Sequence, residues 1–103
     1  MRKERYCLNK LQVGQLAVST QGRDLGRYYL VIEILDEDFV RVSDGKKRPL
    51  SKPKKKNISH LQKINQQATE DLIHKLNVKR ASDREVKEEL NHLKEKINSD
   101  KLD

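Results

Sequence analysis

The residues best suited to chemistry in this sequence are cations, and they are concentrated in one stretch, residues 46–56. This basic run holds seven Lys and Arg among 11 residues and no Asp or Glu. Like charges held close together repel, and a polyanion relieves that repulsion. A run of this kind alone is usually a solvated segment, but this one lies between predicted strands, which favours nucleic-acid contact. The predicted phosphate-binding residues of the run are Lys46, Lys47, Arg48, Lys52, Lys54, Lys55 and Lys56.

The formal net charge of +7 is unevenly distributed along the chain. Residues 1–60 hold 14 Lys and Arg against seven Asp and Glu, whereas residues 61–103 hold nine of each. Segregated charge of this kind indicates one part that faces a polyanion and one that does not. We therefore expect a basic domain at residues 1–64 and a charge-neutral appendage at residues 65–103.

Residues that could support catalysis or bind a metal are sparse. His60, His74 and His92 are 14 and 18 residues apart, and no zinc-like spacing includes them. Cys7 is the only cysteine, so it has no partner for an internal disulfide. The glycines of residues 22–26 lack the Lys-Ser/Thr of a phosphate-binding loop. We expect no catalytic residue, no metal and no cofactor, and we do not expect an enzyme.

The segments that would position these cations have the sequence pattern of short strands. Residues 15–20, 28–35 and 39–43 alternate or are rich in β-branched and aromatic residues, as strands are. Both faces of the segment 28–35 are partly apolar, which is expected if something packs over the sheet. Residues 57–64 are predicted to form the last strand. Four or five short antiparallel strands within about 50 residues favour a small barrel.

A loop bracketed by glycines joins the first two predicted strands, and we call residues 21–27 the glycine loop. Gly22 and Gly26 allow positive φ values, which other residues disfavour. Asp24 between them is expected to bond nearby backbone amides and hold the turn. Arg23 and Arg27 are then predicted to be solvated cations at the loop tip.

The segment after the predicted barrel has the pattern of two helices. Residues 66–77 carry a helix-spaced apolar stripe, and Ser82 to Glu85 has the S-x-x-E pattern of a capping box. The apolar residues Val86, Leu90, Leu93 and Ile97 follow at helical spacing. The predicted fold class is therefore α+β, with a small barrel followed by a C-terminal helical hairpin.

The glycine loop and its flanks resemble the KOW motif, a strand, a glycine-bracketed loop and an apolar strand. Gly22, Asp24, Gly26 and Arg27 match it, and the apolar residues 30–32 follow. The stretch 43–62 extends this resemblance to bacterial KOW-domain RNA-binding proteins similar to eukaryotic-type large-subunit ribosomal protein fourteen. The resemblance covers residues 12–62 and implies an SH3-like barrel whose loop contacts RNA. Arg23 and Arg27 are therefore predicted RNA-binding residues of the glycine loop.

The same resemblance bears on two further residues. His60 lies in its Ser-His-Leu stretch, which implies a structural or RNA-facing role for this side chain. Leu25 stands where relatives often have a basic residue, which shifts the expected RNA contact towards the basic run.

Two functions are compatible with these patterns. The first is an RNA-binding protein that acts on ribosomal or other structured RNA, associated with the ribosome and translation. The alternative is a protein-interaction adaptor in translation or transcription elongation that uses the helical appendage. Few aromatic residues are present, so extended stacking on single strands is disfavoured. DNA binding is a weaker third option, because no recognition helix carries the basic residues.

Other features bound where the protein acts. No run approaches the roughly 18 apolar residues of a membrane span. Residues 1–10 are charged and lack the apolar core of a secretory signal, so we expect a loose arm or a short lead-in strand there. Together with the lone cysteine, this predicts a cytoplasmic protein with no membrane partner. Its partners are expected to be RNA and the ribosome or ribosomal proteins, and its oligomeric state stays open.

Overall fold

The computed structural model describes residues 11–102, with side chains described for residues 11–97, and contains five strands and two helices in that part of the chain. The predicted arm at residues 1–10, with Cys7, lies outside the described residues. The elements are β1 (Gln15–Ser19), β2 (Tyr28–Ile34), β3 (Phe39–Ser43), β4 (Lys54–Asn57), β5 (Leu61–Gln67), α1 (Glu70–Asn77) and α2 (Asp83–Leu102).

The strands form one antiparallel sheet in the order β4-β3-β2-β1-β5. In the β1–β2 pair, Leu16 lies opposite Leu30 and Ala17 lies opposite Tyr29. Because neighbouring residues of a strand point to opposite faces, these two pairs lie on opposite sides of the sheet. The predicted α+β class, a small barrel followed by a helical hairpin, is confirmed.

Each side of the sheet has its own apolar core. The barrel core is on the side of Ala17 and Tyr29, and the helix core is on the side of Leu16 and Leu30. The buried residues of the barrel core are Leu11, Ala17, Tyr29, Val31, Val40 and Val42. Those of the helix core are Leu16, Leu30, Ala68, Leu72, Leu76, Val86, Leu90 and Leu93. The helices thus cover the outer face of β1 and β2, as the apolar residues on both faces of β2 indicate.

Side chains at the helix termini explain where the helices begin and end. The Thr69 hydroxyl accepts a hydrogen bond from the Leu72 amide at 3.2 Å. The predicted capping box is present, since the Glu85 amide donates to Ser82 and the Ser82 amide donates to the Glu85 carboxylate at 2.9 Å. Lys79 takes a left-handed backbone conformation (φ 59) after α1 and so reverses the chain towards α2.

Several predicted boundaries differ from the structure. The last three residues of the basic run belong to β4, which pairs with β3, and a 3-10 turn at Ile58–His60 separates β4 from β5. The strand expected at residues 57–64 is therefore split. Since β5 continues to Gln67, the sheet ends three residues beyond the expected boundary, and α1 begins at Glu70 rather than at residue 66. Within the described residues, neither helix has the length and apolar character needed to cross a membrane.

Candidate nucleic-acid interface

The glycine loop is a tight connection between β1 and β2. Gly22 and Gly26 have φ values of 92° and 86°, in the left-handed region that the sequence predicts for them. The loop closes through two backbone hydrogen bonds, from the Ser19 amide to the Arg27 carbonyl at 2.9 Å and from the Gly26 amide to the Ser19 carbonyl at 2.8 Å. Arg23 and Arg27 are exposed, as predicted for cations at the loop tip.

Asp24 turns its carboxylate inward from the loop. The side chain is buried and accepts hydrogen bonds from the Ser19 and Tyr29 hydroxyls, each at 2.8 Å. Lys54 Nζ and Lys56 Nζ each donate to it at 3.1 Å. These four donors are side chains, whereas the sequence predicts backbone amides. The preference of Asp for turns predicts hydrogen bonds to neighbouring backbone amides only. It cannot predict donors that are distant in sequence, and two of these donors lie on β4.

This network shifts the protonation equilibria of its members. Burial alone would raise the pKa of Asp24, but the hydrogen bonds from Tyr29, Ser19, Lys54 and Lys56 outweigh it and hold that pKa well below its usual range. Burial and the bond to the Asp24 carboxylate raise the pKa of Tyr29. Asp24 therefore remains ionised as the counter-charge of Lys54 and Lys56 at neutral pH.

The three lysines of β4, all predicted to bind phosphate, do not share one environment. Lys56 is 6% exposed, and its ammonium also donates to the Ser19 hydroxyl at 3.0 Å. Lys54 is half-buried. Lys55 is exposed and lies over the Phe39 ring, 4.5 Å from its centroid. Strand alternation explains this pattern, because positions 54 and 56 face one way and position 55 the other.

An open groove of about 390 Å³ lies beside the glycine loop, and we call it the cationic groove. Its cations come from three segments, with Arg27 from the loop, Lys46 from the turn after β3, and Lys87 and Lys94 from α2. Tyr28 also lines the groove, and Lys94 Nζ lies 5.6 Å from the centroid of its ring. The structure thus places cations from distant parts of the sequence around one concave surface.

One carboxylate, that of Asp44, is also part of the groove lining. One of its oxygens accepts from the Lys46 amide at 2.8 Å and from the Arg48 amide at 2.9 Å. This carboxylate therefore shapes the turn that presents Lys46. The neighbouring Gly45 approaches the first turn of α2 so closely that a Cβ on it would lie 2.9 Å from the Lys87 amide nitrogen. The turn and the helix are thus held in direct contact.

The other predicted site residues are distributed around the groove or away from it. Arg23, Lys47, Arg48 and Lys52 are exposed and do not line the groove. His60 is half-buried in the 3-10 turn, where its carbonyl accepts from the Thr20 amide at 2.9 Å.

Sequence reasoning did not identify Lys87 and Lys94 as site residues. The charges of residues 61–103 sum to zero, and this sum does not show that cations lie on one side of α2. The available signal was the spacing of Lys87, Asn91 and Lys94, because residues four and three apart share one helix face. Among the described residues, no cluster of His, Cys, Asp and Glu could hold a metal ion.

The fold and the glycine loop define a small barrel of the KOW type with two helices packed on its outer face. No family model matches the chain. It is similar to the large ribosomal subunit protein eL14 of Hyperthermus butylicus, with 37% identity over 81 residues, 78% of this chain and 74% of the relative. The eL14 protein of Saccharolobus solfataricus is 31% identical over 94 residues, 84% of this chain and 90% of the relative.

These matches show that the chain belongs to the eL14 family of large ribosomal subunit proteins. The eL14 protein of Desulfurococcus amylolyticus is 36% identical over 52 residues, and the match spans about half of that relative (54%). The relatives named here are archaeal, so the bacterial origin expected for the relatives has no support from them.

Proposed function

We propose that this protein binds ribosomal RNA as a component of the large ribosomal subunit and acts in translation in the cytoplasm, in a structural rather than a catalytic role. The observation that carries this proposal is the convergence of Arg27, Lys46, Lys87 and Lys94 on one groove. Membership of the eL14 family supports ribosomal RNA as the partner.

The chemistry of the groove suits a sugar–phosphate backbone. Arg27 can hold a phosphate through two parallel hydrogen bonds, and the lysines add point charges around it. Tyr28 offers a ring for one unstacked base or a sugar, which is a limited contact compared with an aromatic platform. Folded RNA is recognised mainly through shape, phosphates and 2′-hydroxyls, and these groups match this lining.

The Asp24 network gives the groove its rigidity. It links the glycine loop to β4 through two ammonium groups, so the backbone that presents Arg27 is fixed before RNA arrives. A preordered cation loses less conformational entropy on binding than a mobile one. Lys56 therefore supports the site from inside the fold, and Lys54 does so in part.

The exposed cations outside the groove extend the proposed RNA surface. They are the predicted residues Arg23, Lys47, Arg48, Lys52 and Lys55. Each adds a phosphate contact where the RNA follows the surface, and none is needed to close the groove. His60 stays a candidate at the edge of this surface, with its backbone already part of the turn.

The adaptor alternative has weaker support. It requires the amphipathic helices to offer their apolar stripes to a partner, but Leu72, Leu76, Val86, Leu90 and Leu93 are all buried against the sheet. The faces that remain accessible on the helices are largely polar.

Filter binding to a large-subunit ribosomal RNA transcript tests the proposal. The groove variant Arg27→Gln/Lys46→Gln should bind more weakly, and its log–log salt dependence should be shallower by about 1.4 to 1.8 than that of the wild type. Lys79→Gln/Arg80→Gln is a matched control, because it removes two exposed cations that do not line the groove. Equal losses in the two variants would show that the groove has no special role.

A further inference from the structure

A second concave surface lies on the other side of α2 from the cationic groove. It is a cleft of about 470 Å³, and we call it the amide cleft. Its lining residues are Gln12, Gln15, Lys63, Asn65, Gln66, Gln67 and Lys96. Lys94 and Lys96 are two residues apart on a helix that turns 100° per residue, so they face opposite sides of α2. The two concave surfaces therefore flank the same helix.

An irregularity in β5 builds this cleft. Gln15 of β1 pairs with Gln67, but Ala17, two residues further on, pairs with Lys63, four residues back. Between these two pairings β5 thus holds two more residues than β1, which makes a bulge with Asn65 at its centre. Bulges are common beside functional sites, where they redirect side chains.

A buried side chain stabilises the bulge. Gln15 is 5% exposed, and its Nε2 donates to the Ile64 carbonyl at 2.6 Å and to the Gln66 carbonyl at 2.9 Å. These carbonyls flank Asn65, so the amide of Gln15 takes the place of the regular strand pairing that the bulge interrupts. The bulge is therefore a defined part of the fold, and the polar side chains around it have a fixed frame.

The lining has a definite chemical character. It consists of four further carboxamides besides that of Gln15, whose amide nitrogen is already bonded within the bulge, and of two ammonium groups. Neither a carboxylate nor an aromatic ring is among the lining residues. Carboxamides both donate and accept hydrogen bonds, and lysines donate to anions. This combination suits a ligand that carries hydroxyl groups beside negative charge. It does not suit a stacked base, which requires a flat apolar or aromatic surface.

We propose that the amide cleft binds the ribose–phosphate backbone of an RNA strand, with the amides on 2′-hydroxyls and the lysines on phosphates. This inference rests on the proposed RNA-binding function and adds a second contact to it. The 2′-hydroxyl is the group that distinguishes RNA from DNA, so a site of this kind gives the protein a preference for RNA. The cationic groove, with its charged lining, gives affinity for phosphates of either backbone.

The test compares binding to an RNA hairpin with binding to the same hairpin made with 2′-deoxyribose. Asn65→Ala/Gln67→Ala removes two exposed amides of the cleft and should reduce the preference for RNA about three- to tenfold, the effect of one or two lost hydrogen bonds. Gln62→Ala/Asn77→Ala is the matched control, since it removes exposed amides of the same types that do not line the cleft. The control should keep the wild-type preference.

Two further variants separate the possible outcomes. Lys63→Gln/Lys96→Gln should weaken binding to both hairpins, because phosphates are present in both. Arg27→Gln/Lys46→Gln should also weaken both and leave the preference for RNA unchanged. Thermal unfolding of each variant checks that the fold is intact.

If Asn65→Ala/Gln67→Ala keeps the wild-type preference for the RNA hairpin over the 2′-deoxyribose hairpin, the cleft proposal is overturned. The proposed function is unaffected by that result. The same holds if both cleft variants bind RNA normally but fail to join ribosomal subunits, since the cleft would then contact a protein. A wild-type protein that binds neither hairpin and no ribosomal RNA transcript would overturn both proposals.

Discussion

Asp24 and Lys56 are 32 residues apart in the sequence and form a buried ion pair with an oxygen-to-nitrogen distance of 3.1 Å. The pair joins the glycine loop to β4, the strand at the end of the basic run. Part of the most basic stretch in the chain is thus used inside the fold, as the counter-charge that fixes the loop. The exposed arginines of that loop owe their position to a buried aspartate between them.

Asp24→Asn should destabilise the protein by about 3 to 5 kcal/mol, since it leaves the ammonium of Lys56 buried without a counter-charge. Urea denaturation followed by far-UV circular dichroism measures this loss in the free energy of unfolding. The double variant Asp24→Asn/Lys56→Met should recover a large part of it, because the unpaired charge is gone. If Asp24→Asn proves as stable as the wild type, the ion pair does not hold the loop.

Acid should destabilise the wild type through the same group. The pKa of Asp24 is depressed in the folded state, so the stability from its ionised form is fully present above the unfolded value of about 3.9. That stability is lost as the pH falls below about 4 towards the folded pKa. Melting temperatures measured between about pH 5 and pH 2 should therefore fall more steeply for the wild type than for Asp24→Asn. Parallel curves would show that another carboxylate dominates the acid transition.

The basic run shows what sequence patterns reveal and what they conceal. Short-range sequence patterns predicted three features that the structure contains. They are the two apolar faces of β2, the capping box at Ser82 and the glycines with positive φ. Which lysines of β4 are accessible did not follow, because it depends on a carboxylate some 30 residues earlier in the chain. Charge counts do not distinguish a cation that faces solvent from one that is already paired.

The cationic groove shows the same limit from the other direction. Arg27 and Lys46 were identified from the sequence, but their neighbours Lys87 and Lys94 lie on a segment without net charge. Only the packing of α2 against the sheet brings all four together, and long-range packing of this kind is not encoded in a local pattern. The bulge in β5 was also missed, since it depends on the pairing register of two strands.

Adjacent lysines of β4 should respond differently to the same substitution. Lys56→Gln should cost about 2 to 4 kcal/mol of stability, because the neutral amide leaves the buried Asp24 carboxylate with less compensation. Lys55→Gln should cost less than about 1 kcal/mol, because it loses only an exposed contact between the ammonium and the Phe39 ring. Chemical denaturation of the two single variants makes the comparison. Equal effects would contradict the strand alternation described above.

Two glycines with positive φ should differ in their tolerance of a side chain. Gly26 has open space where a Cβ would lie, so Gly26→Ala should cost only the conformational penalty of about 1 to 2 kcal/mol. At Gly45 a Cβ would also collide with the backbone of Asp83 and Lys87. Gly45→Ala should therefore cost more than Gly26→Ala, and it should weaken RNA binding by moving α2 away from Lys46. Thermal unfolding and filter binding of both variants test this prediction. Equal melting temperatures for Gly26→Ala and Gly45→Ala would refute it.

Leucine-to-alanine substitutions should show whether the barrel and the helices unfold together. Leu93 is 1% exposed and lies in the helix core with Leu16 and Leu30 of the sheet, so Leu93→Ala should cost about 2 to 5 kcal/mol. Leu25, 66% exposed in the glycine loop, is the control, and Leu25→Ala should change stability by less than about 0.5 kcal/mol. Tyr28 packs against the helix core, so the measurement uses a Tyr6→Phe/Tyr28→Phe background, in which tyrosine fluorescence reports on the barrel through Tyr29 alone. Far-UV circular dichroism reports largely on the helices. Because both sides of β1 and β2 are covered by core residues, Leu93→Ala should lower the midpoints of both signals by the same amount. A fall in the helical signal alone would show that residues 1–64 and 65–103 unfold as separate domains.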